Sequence, residues 1–406
     1  MSYLQSYTRD ELATLLMPVC RKAALKRRKH ATEEVREAYA QKKSHYHAKQ
    51  IFSLHYQQHI HSWDEMTDLS KAMREWLKQH VQIFSLDTLT EQRSEDGTMK
   101  FLWQLPDKKT VESVIIPATG NDAHITEEGN QFRGTKNEAA LKPDNWDRMT
   151  ICISSQVGCA MACKFCLTGV QGFDRQLEVH EIVTQVAQLA RTYPLSNIVF
   201  MGMGEPLHNP DAVIKACKIF RDDAGLSFSR RRVTVSTSGL VPQIDRLREE
   251  TDVTLAISLS GTHDPQREEI MPVNKKWPLN ELLDACRRFQ GNGKVWITFE
   301  YVMLKDVNDT LEDAARLADI LEGIRAKVNL IPFNPFPGSI YDRSDPEQVQ
   351  RFKNALIEKG VFTSVRISRG QDIFAACGQL RSAFGTARGT EKHAPSLQSP
   401  PQQKNH

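Results

Sequence analysis

The chain has 406 residues, of which 40% are hydrophobic and 25% charged, and its formal net charge is +3. This length suits one catalytic domain of roughly 200–300 residues together with a smaller accessory domain. No apolar run approaches the ~20 residues that a membrane-spanning helix needs, and the chain opens on no secretory signal, so we expect a cytoplasmic protein with no membrane partner. Eight cysteines are too sparse in so long a chain for a secreted disulfide framework.

Residues 1–95 are predicted to form a small helical accessory domain. Apolar residues recur there at helical spacing in two runs, Leu12-Leu15-Leu16-Val19 and Met66-Leu69-Met73-Leu77. Between them, Arg21–Lys29 is strongly basic. A run of this kind is typical either of a solvated helix face or of a surface that contacts nucleic-acid phosphates.

Residues 96–149 are predicted to hold a β-hairpin and a polar insert. The alternation in 99–104 and 111–117 predicts the two hairpin strands. Residues 118–149 are polar and aperiodic, which predicts a long surface excursion. At the other end of the chain, the composition of residues 383–406 is typical of a disordered tail.

From residue 150 to residue 382, apolar strands alternate with amphipathic helices. The predicted strands are 150–154, 197–202, 232–236, 253–259, 295–303, 327–332 and 363–367. The alternation predicts an α/β domain of parallel βαβ units, in an open or closed barrel. Functional residues of such barrels lie at the C-terminal ends of the strands, and a cysteine-rich segment follows the first strand.

Cys159, Cys163 and Cys166 form a C-x₃-C-x₂-C run. Structural zinc sites usually have four ligands in two C-x₂-C halves, and no second half follows here. Three thiolates instead suit a [4Fe–4S] cluster with one iron left open for a further ligand. Ferredoxin-type electron carriers close that position with a fourth nearby cysteine, which this loop lacks.

This loop resembles that of the radical S-adenosylmethionine (SAM) enzymes, in which the segment Gly202–Pro206 (Gly-Met-Gly-Glu-Pro) would lie against the methionine of bound SAM. Further segments narrow the resemblance to RNA adenine methyltransferases of the RlmN/Cfr type, over roughly residues 45–382. They are Phe52–Thr67, Ser94–Lys100, Ser154–Cys159, Gln171–Phe173, Arg232–Gly239, Pro332–Pro335 and Ala375–Leu380. The resemblance implies a partial (β/α) barrel of the radical SAM type, with a [4Fe–4S] cluster and SAM as cofactors.

Three residues acquire catalytic roles from the resemblance. Cys377, before Gly378-Gln379-Leu380, matches the cysteine that carries the methyl group as S-methylcysteine. Cys152 matches the resolving cysteine, which forms a transient disulfide with that residue. Glu112 matches the glutamate usually assigned as proton acceptor, although an acid on a hairpin strand ordinarily faces solvent. The other cysteines, Cys20, Cys217 and Cys286, are interpreted as small buried apolar side chains.

The chemistry explains why such residues are needed. C2 and C8 of adenine are electrophilic, so an ordinary polar methyl transfer to them is blocked. The resemblance implies that one SAM methylates the Cys377 thiolate and that a second yields a 5′-deoxyadenosyl radical, which takes hydrogen from that methyl group. The resulting carbon radical adds to the ring, the ring proton is lost, and attack of Cys152 on the Cys377 sulfur releases the product.

The resemblance also implies SAM contacts at successive strand ends. They are Glu205, Pro206, Ser236, Ser258, Leu259, Ser260 and Asn334. Two departures from the family pattern stand out. The family commonly has a histidine at the position of Ser260, which weakens the contact assigned there, and a short connection in place of residues 118–149, which we expect near the mouth of the barrel.

RNA is the implied partner, with methylation at C2 of an adenosine in large-subunit (23S) ribosomal RNA favoured and transfer RNA as a further substrate. Candidate phosphate contacts are Arg21–Lys29 and Arg230–Arg232, and an electron donor such as flavodoxin is implied as well. Methylation at C8, as in the Cfr branch, is the first alternative. A radical maturase acting on a protein and a non-catalytic iron–sulfur carrier or sensor are others, but both leave Cys377 and Cys152 unexplained.

Overall fold

The computed structural model describes residues 2–118, 148–291 and 295–381. The described helices are α1 (Arg9–Arg27), α2 (Glu33–Phe52), α3 (Lys71–His80), α4 (Leu167–Gln171), α5 (Val179–Leu189), α6 (Pro210–Arg221), α7 (Val241–Glu250), α8 (Asp264–Ile270), α9 (Leu279–Gln290), α10 (Leu311–Ile320) and α11 (Pro346–Glu358). The described strands are β1 (Ser2–Tyr3), β2 (Val81–Gln82), β3 (Asp87–Arg93), β4 (Met99–Gln104), β5 (Thr110–Pro117), β6 (Met149–Cys152), β7 (Gln156–Gly158), β8 (Phe173–Gln176), β9 (Leu195–Phe200), β10 (Val233–Thr237), β11 (Thr254–Ser258), β12 (Ile297–Met303), β13 (Ala326–Pro332) and β14 (Phe362–Val365). The predicted tail and most of the predicted insert lie outside the described residues.

Ten strands form one sheet in the order β14-β13-β12-β11-β10-β9-β6-β5-β4-β3. The seven strands from β14 to β6 are parallel, and each matches a strand predicted from the sequence. Strands β5, β4 and β3 continue the sheet in antiparallel fashion. The predicted α/β architecture with an open, partial barrel and an attached hairpin is therefore confirmed.

The two faces of the parallel strands differ in character, which is why the sheet has helices on one side. Side chains such as Ile198, Val235 and Phe299 are fully buried on one face. The opposite face carries polar, half-buried residues such as Thr254 and Asn329. Helix-covered parallel strands need an apolar face, whereas an open barrel interior tolerates polar groups that water reaches.

The helical region at the N-terminus ends earlier than residue 95. Its last helix, α3, ends at His80, and residues 87–93 form β3 at the edge of the main sheet. All seven residues of β3 are exposed, so the alternation of apolar and polar residues that predicts a half-buried strand is missing. Within the described residues, no helix is long and apolar enough to cross a membrane.

Strands β5 and β6 form an antiparallel pair that fixes both ends of the polar insert. Pro117 lies opposite Met149, and the Ala118 amide donates to the Arg148 carbonyl oxygen at 2.9 Å. These ends lie at the N-terminal edge of the parallel strands, away from the C-terminal edge where the cysteine loop begins. Because an antiparallel connection leaves and re-enters the sheet at one edge, the described ends of the insert lie away from the mouth of the barrel. The predicted position of the insert itself stays a prediction, since residues 119–147 lie outside the described residues.

A buried amide joins helix α5 to the strands that carry the site. The Gln185 side chain accepts from the Ser154 amide at 2.9 Å and donates to the Ser154 carbonyl oxygen at 3.0 Å. The Ser113 hydroxyl donates to the same amide oxygen at 2.8 Å. Because Gln185 is fully buried, these bonds satisfy groups that water cannot reach.

Replacing Gln185 with leucine leaves the buried backbone groups of Ser154 unsatisfied. We expect Gln185→Leu to lower the free energy of unfolding by about 3 kcal/mol, which denaturant titration followed by circular dichroism measures. Gln350→Leu, on an exposed position of α11, is the matched control and should change it by no more than about 0.5 kcal/mol. Equal stability of the two variants would contradict the role given to Gln185.

Candidate active site

The three clustered cysteines lie on the loop that follows β7 and leads into α4. The Cys159 amide donates to the Gly172 carbonyl oxygen at 2.9 Å, and the Cys166 amide donates to the Cys163 carbonyl oxygen at 3.1 Å. Gly158 precedes the loop with φ +74, and a Cβ there would overlap the Gly172 oxygen, so this close approach requires glycine. The loop is thus a backbone-bonded turn at the C-terminal edge of the sheet.

The thiols of this loop are close enough to influence one another. Burial raises the pKa of Cys159 to about 12 and that of Cys163 well above its ordinary value, and Cys166 raises both further. Among the residues that the structure describes, no three His, Cys, Asp or Glu side chains converge on a single metal position. The support for a cluster is the ligand set itself, since three thiolates on one loop suit a [4Fe–4S] cluster with one iron left open.

The Gly-Met-Gly-Glu-Pro segment packs directly against the strand that leads to the cysteine loop. A Cβ on Gly202 would lie 2.6 Å from the Ile153 carbonyl oxygen, and one on Gly204, whose φ is +102, would lie 2.6 Å from the Gln156 Cβ. Both glycines are therefore required by the close approach of two backbone segments. This packing places the residues that follow them beside the cysteines.

Glu205 is the acidic residue that this packing brings to the cysteine loop. Its carboxylate accepts from the amides of Leu207 at 3.0 Å and Ser238 at 2.8 Å. Burial raises the pKa of Glu205, and the Ser238 amide opposes that rise. Its charge in turn raises the pKa of Cys159 and Cys163, so the carboxylate lies near the position at which a cluster ligand would bind.

The other predicted SAM contacts divide into two groups, apart from Leu259, which is fully buried and whose amide donates to the Glu300 carbonyl oxygen at 2.9 Å. Ser236 near the end of β10, Ser258 at the end of β11 and Asn334 after β13 lie at the same edge as Glu205 and Pro206. Ser260 differs, because it is fully buried and its hydroxyl accepts from the Val302 amide at 3.2 Å. This geometry gives no support to a contact between the Ser260 hydroxyl and SAM.

Arg267 is a site residue that the sequence did not single out. It is fully buried on α8, and its guanidinium donates to the carbonyl oxygens of Ser238 at 2.6 Å and Leu259 at 3.0 Å. Burial lowers the pKa of Arg267 to about 10, and the nearby Cys163 opposes that change. Arg267 therefore ties the segments after β10 and β11 together beside the cluster loop, and a single arginine in a polar helix carries no sequence signal for such a role.

Residues 366–381 form a segment that we call the Cys377 loop. The Leu167 amide donates to the Gly378 carbonyl oxygen at 2.7 Å, and the Thr168 hydroxyl donates to the Leu380 carbonyl oxygen at 2.6 Å. The Asn334 side chain donates to the Cys377 carbonyl oxygen at 3.3 Å. The loop is thereby held against the start of α4, directly after Cys166.

Cys377 lies close enough to Cys152 to raise the pKa of the Cys152 thiol. Burial raises the pKa of Cys152 to about 12, Cys377 adds to the rise, and Arg366 opposes it. Cys377 also raises the pKa of Cys166. Both Cys152 and Cys377 are free thiols in this structure. The structure thus brings together Cys152 at the end of β6, the Cys377 loop and the loop of the three clustered cysteines.

Glu112 is buried beneath the Cys377 loop and does not face solvent. Its Oε1 lies 3.2 Å from the Lys100 ammonium, and its Oε2 accepts from the Arg381 amide at 2.9 Å. Burial raises the pKa of Glu112, and the Lys100 charge lowers it. Because the covering loop comes from the far end of the chain, the alternation of the hairpin strand could not indicate this burial.

The two basic segments lie apart from each other. Within Arg21–Lys29 every residue except Ala24 is exposed, and the Arg28 guanidinium lies 4.7 Å from the ring centre of Tyr39. Arg230–Arg232 forms a short turn before β10, at the edge opposite the cysteines, and Arg232 donates to the Asn197 side chain at 2.9 Å.

The partial barrel, the cysteine loop and the Gly-Met-Gly-Glu-Pro segment together define a radical SAM enzyme. Residues 153–318 match the Radical SAM superfamily, which uses a [4Fe–4S] cluster and SAM. Residues 38–83 match a second family, described as the ribosomal RNA large subunit methyltransferase N-terminal domain. Three free cysteines on one loop suit such a cluster, and Cys159, Cys163 and Cys166 are the residues that would hold it.

Similarity to individual relatives shows the family to which the chain belongs. The chain is 48% identical to a dual-specificity RNA methyltransferase RlmN of Geobacter sulfurreducens, over 84% of this chain and 87% of the relative. It is 45% identical to the RlmN of Rhizobium johnstonii, over 87% and 86%. The crystal structure of a radical SAM methyltransferase from Sphaerobacter thermophilus superposes with a TM-score of 0.76 at 37% identity, covering 94% of this chain and 99% of that one. The chain belongs to the RlmN family of dual-specificity RNA methyltransferases.

Cys163→Ala would leave the loop with only two thiolates, Cys159 and Cys166, for a cluster. We expect Cys163→Ala, reconstituted anaerobically, to lose most bound iron and sulfide and the visible absorption of the cluster. Cys217→Ala removes a buried cysteine on α6 and should retain both. Iron content and absorption spectra check this, and full iron loading of Cys163→Ala would contradict the assignment.

Proposed function

We propose that this protein methylates C2 of an adenosine in large-subunit ribosomal RNA, and an adenosine in transfer RNA, with Cys377 as the methyl carrier. The observation that carries the proposal is the position of the Cys377 loop, which sets Cys377 beside Cys166 and Cys152 and over Glu112. A radical maturase or an electron carrier has no use for this arrangement. The relatives from Geobacter sulfurreducens and Rhizobium johnstonii are both named dual-specificity RNA methyltransferase RlmN and not Cfr, which favours C2 over C8.

Each residue of the group has a task that suits its environment. The Cys377 thiolate takes a methyl group by nucleophilic displacement. The bound cluster and SAM supply the radical that removes hydrogen from this methyl group. Once the Cys377 carbon is joined to the ring, the adduct must give up its unpaired electron, which the oxidised cluster would take back, and Glu112 accepts the ring proton. The Cys152 sulfur then bonds to the Cys377 sulfur while the sulfur–carbon bond breaks, and the released carbon takes up a proton to complete the methyl group. The resulting disulfide is reduced before the next turnover.

The environment of Cys152 suits a residue that reacts only late in the cycle. Burial raises the pKa of Cys152 to about 12, so it is a neutral thiol at neutral pH. It therefore does not compete with Cys377 for the methyl group. Arg366 lowers the pKa of Cys152 and would assist its ionisation when the adduct must be resolved.

The exposed basic face of α1 is the proposed contact for RNA phosphates. On the neighbouring helix α2, Lys43 lies 5.1 Å from the ring centre of the exposed Tyr46, while Glu37 pairs with Arg21. Cations interleaved with exposed aromatic rings suit a nucleic acid, which offers phosphates and base faces. A flavodoxin-type electron donor and a cytoplasmic location complete the proposal.

Removing the Cys377 sulfur and removing the Cys152 sulfur should block different stages of RNA methylation. We expect Cys377→Ala to form no methylated RNA, and Cys152→Ala to accumulate a covalent protein–RNA adduct, because Cys377 is then never released. Denaturing gels measure the adduct, and mass spectrometry of digested nucleosides identifies 2-methyladenosine. Cys286→Ala is the control, since Cys286 is buried on α9. Methylation by Cys377→Ala would refute the carrier mechanism, and 8-methyladenosine as product would reassign the ring position.

Charge reversal on α1 should weaken RNA binding in a salt-dependent way. We expect Arg27→Glu with Arg28→Glu to lower affinity roughly tenfold and to reduce the slope of log K against log salt by about 1–2. Binding of a transcript at several salt concentrations measures both quantities. Arg351→Glu, at an exposed arginine of α11, is the control. An unchanged slope in the double variant would rule out this face.

A further inference from the structure

Lys100 is a buried lysine on β4 to which the reaction outlined above gives no task. Its ammonium lies 3.2 Å from Glu112 Oε1 and donates to the Phe374 carbonyl oxygen at 3.3 Å. The side chain is only 11% exposed. Lysine is rarely buried unless it is paired, and here its two acceptors belong to a neighbouring strand and to the Cys377 loop.

Two hydrogen bonds hold Glu112, one to its side chain and one to its backbone. Its Oε2 accepts from the Arg381 amide at 2.9 Å, and its own carbonyl oxygen accepts from the Ser154 hydroxyl at 2.6 Å. The Lys100–Glu112 pair therefore contacts the Cys377 loop both before Cys377, at Phe374, and after it, at Arg381. Cys377 lies on the part of the loop that spans these two contacts.

We propose that Lys100 is a positioning residue for RNA methylation, which fixes the Glu112 carboxylate beneath Cys377 in the ionised form that accepts the ring proton. The inference rests on the proposed role of Glu112 as proton acceptor. In that step the proton passes from the ring carbon to a Glu112 oxygen, and the electron pair of the C–H bond stays in the ring, so no oxidant or reductant is consumed.

The charges around Glu112 support this assignment. Burial disfavours the carboxylate and raises the pKa of Glu112, while Lys100 on β4 and Arg381 on the Cys377 loop oppose that rise. Removing the Lys100 charge therefore raises the pKa of Glu112 further. A carboxyl group with a raised pKa is protonated over more of the acid range, so the acid limb of the step that it serves moves to higher pH.

A lysine that only held the loop would behave differently from one that also serves Glu112. A purely structural loss would impair every stage at which Cys377 takes part, starting with its own methylation. Loss of a positioned carboxylate impairs only the proton transfer, after the protein and RNA have become joined. The stages of one turnover therefore distinguish the two roles.

The test uses the reconstituted holoenzyme with SAM, reductant and an RNA substrate. We expect Lys100→Gln to acquire its methyl group on Cys377 and to form 5′-deoxyadenosine as the wild type does. Release of methylated RNA should be slower by about 10- to 100-fold, with the covalent protein–RNA adduct accumulating. Raising the pH should recover part of the rate. Lys108→Gln, in the exposed turn of the same hairpin, is the matched control and should release product normally.

Two comparators keep the outcomes distinct. If Glu112→Gln accumulates no adduct, the proposed role of Glu112 fails; if Glu112→Gln accumulates it and Lys100→Gln does not, only the present inference fails. Loss of Cys377 methylation in a folded Lys100→Gln would also overturn the inference. If Lys100→Gln does not fold, Lys100→Arg is used instead, because arginine keeps the positive charge. The acid limb of the pH profile for product release should then match that of the wild type. A shifted acid limb in Lys100→Arg would contradict the proposal.

Discussion

The attachment of the Cys377 loop to the start of α4 is the contact on which the whole site depends. Cys377 follows the cluster cysteines late in the chain, yet two short hydrogen bonds, from Leu167 and Thr168, hold its loop against them. Leu380 and Thr168 are buried, so separating the two segments would leave polar groups unsatisfied away from water. The position of Cys377 relative to the three cysteines of the other loop is therefore set by these contacts and not by the flexibility of a tail.

The remaining parts of the site come from two different portions of the sheet. The parallel strands present the polar groups and the buried Arg267 at their C-terminal edge, where a cofactor of the superfamily binds. The antiparallel extension contributes Lys100 and Glu112. Cys152 lies at the junction, since β6 is the strand that belongs to both portions and pairs Cys152 with Val114 of β5. The proposed proton acceptor and the proposed cluster ligands thus come from different portions of the sheet, which meet at β6.

The sequence predicted those features whose signal is local. Buried parallel strands are short apolar runs, so all seven were found, and three cysteines at fixed spacing indicate a cluster whatever surrounds them. Strand β3 was not predicted, because none of its residues is buried and its sequence therefore lacks an apolar alternation. The burial of Glu112 and the position of Arg267 depend on segments distant in the chain, which no periodicity reports. Ser260 was assigned from a family position, and its hydroxyl bonds to β12 instead.

The hydrogen bond between Ala118 and Arg148 joins β5 to β6 at the end where the polar insert leaves the sheet. Because Ala118 and Arg148 are already joined across the sheet, extra residues between them add only loop-closure entropy, about 0.6 kcal/mol for each doubling of loop length. Glu112 and Cys152 lie at the far end of the same strands, so their register is insulated from such changes. The length of the chain can therefore change at this point with little thermodynamic cost to the pairing of β5 with β6.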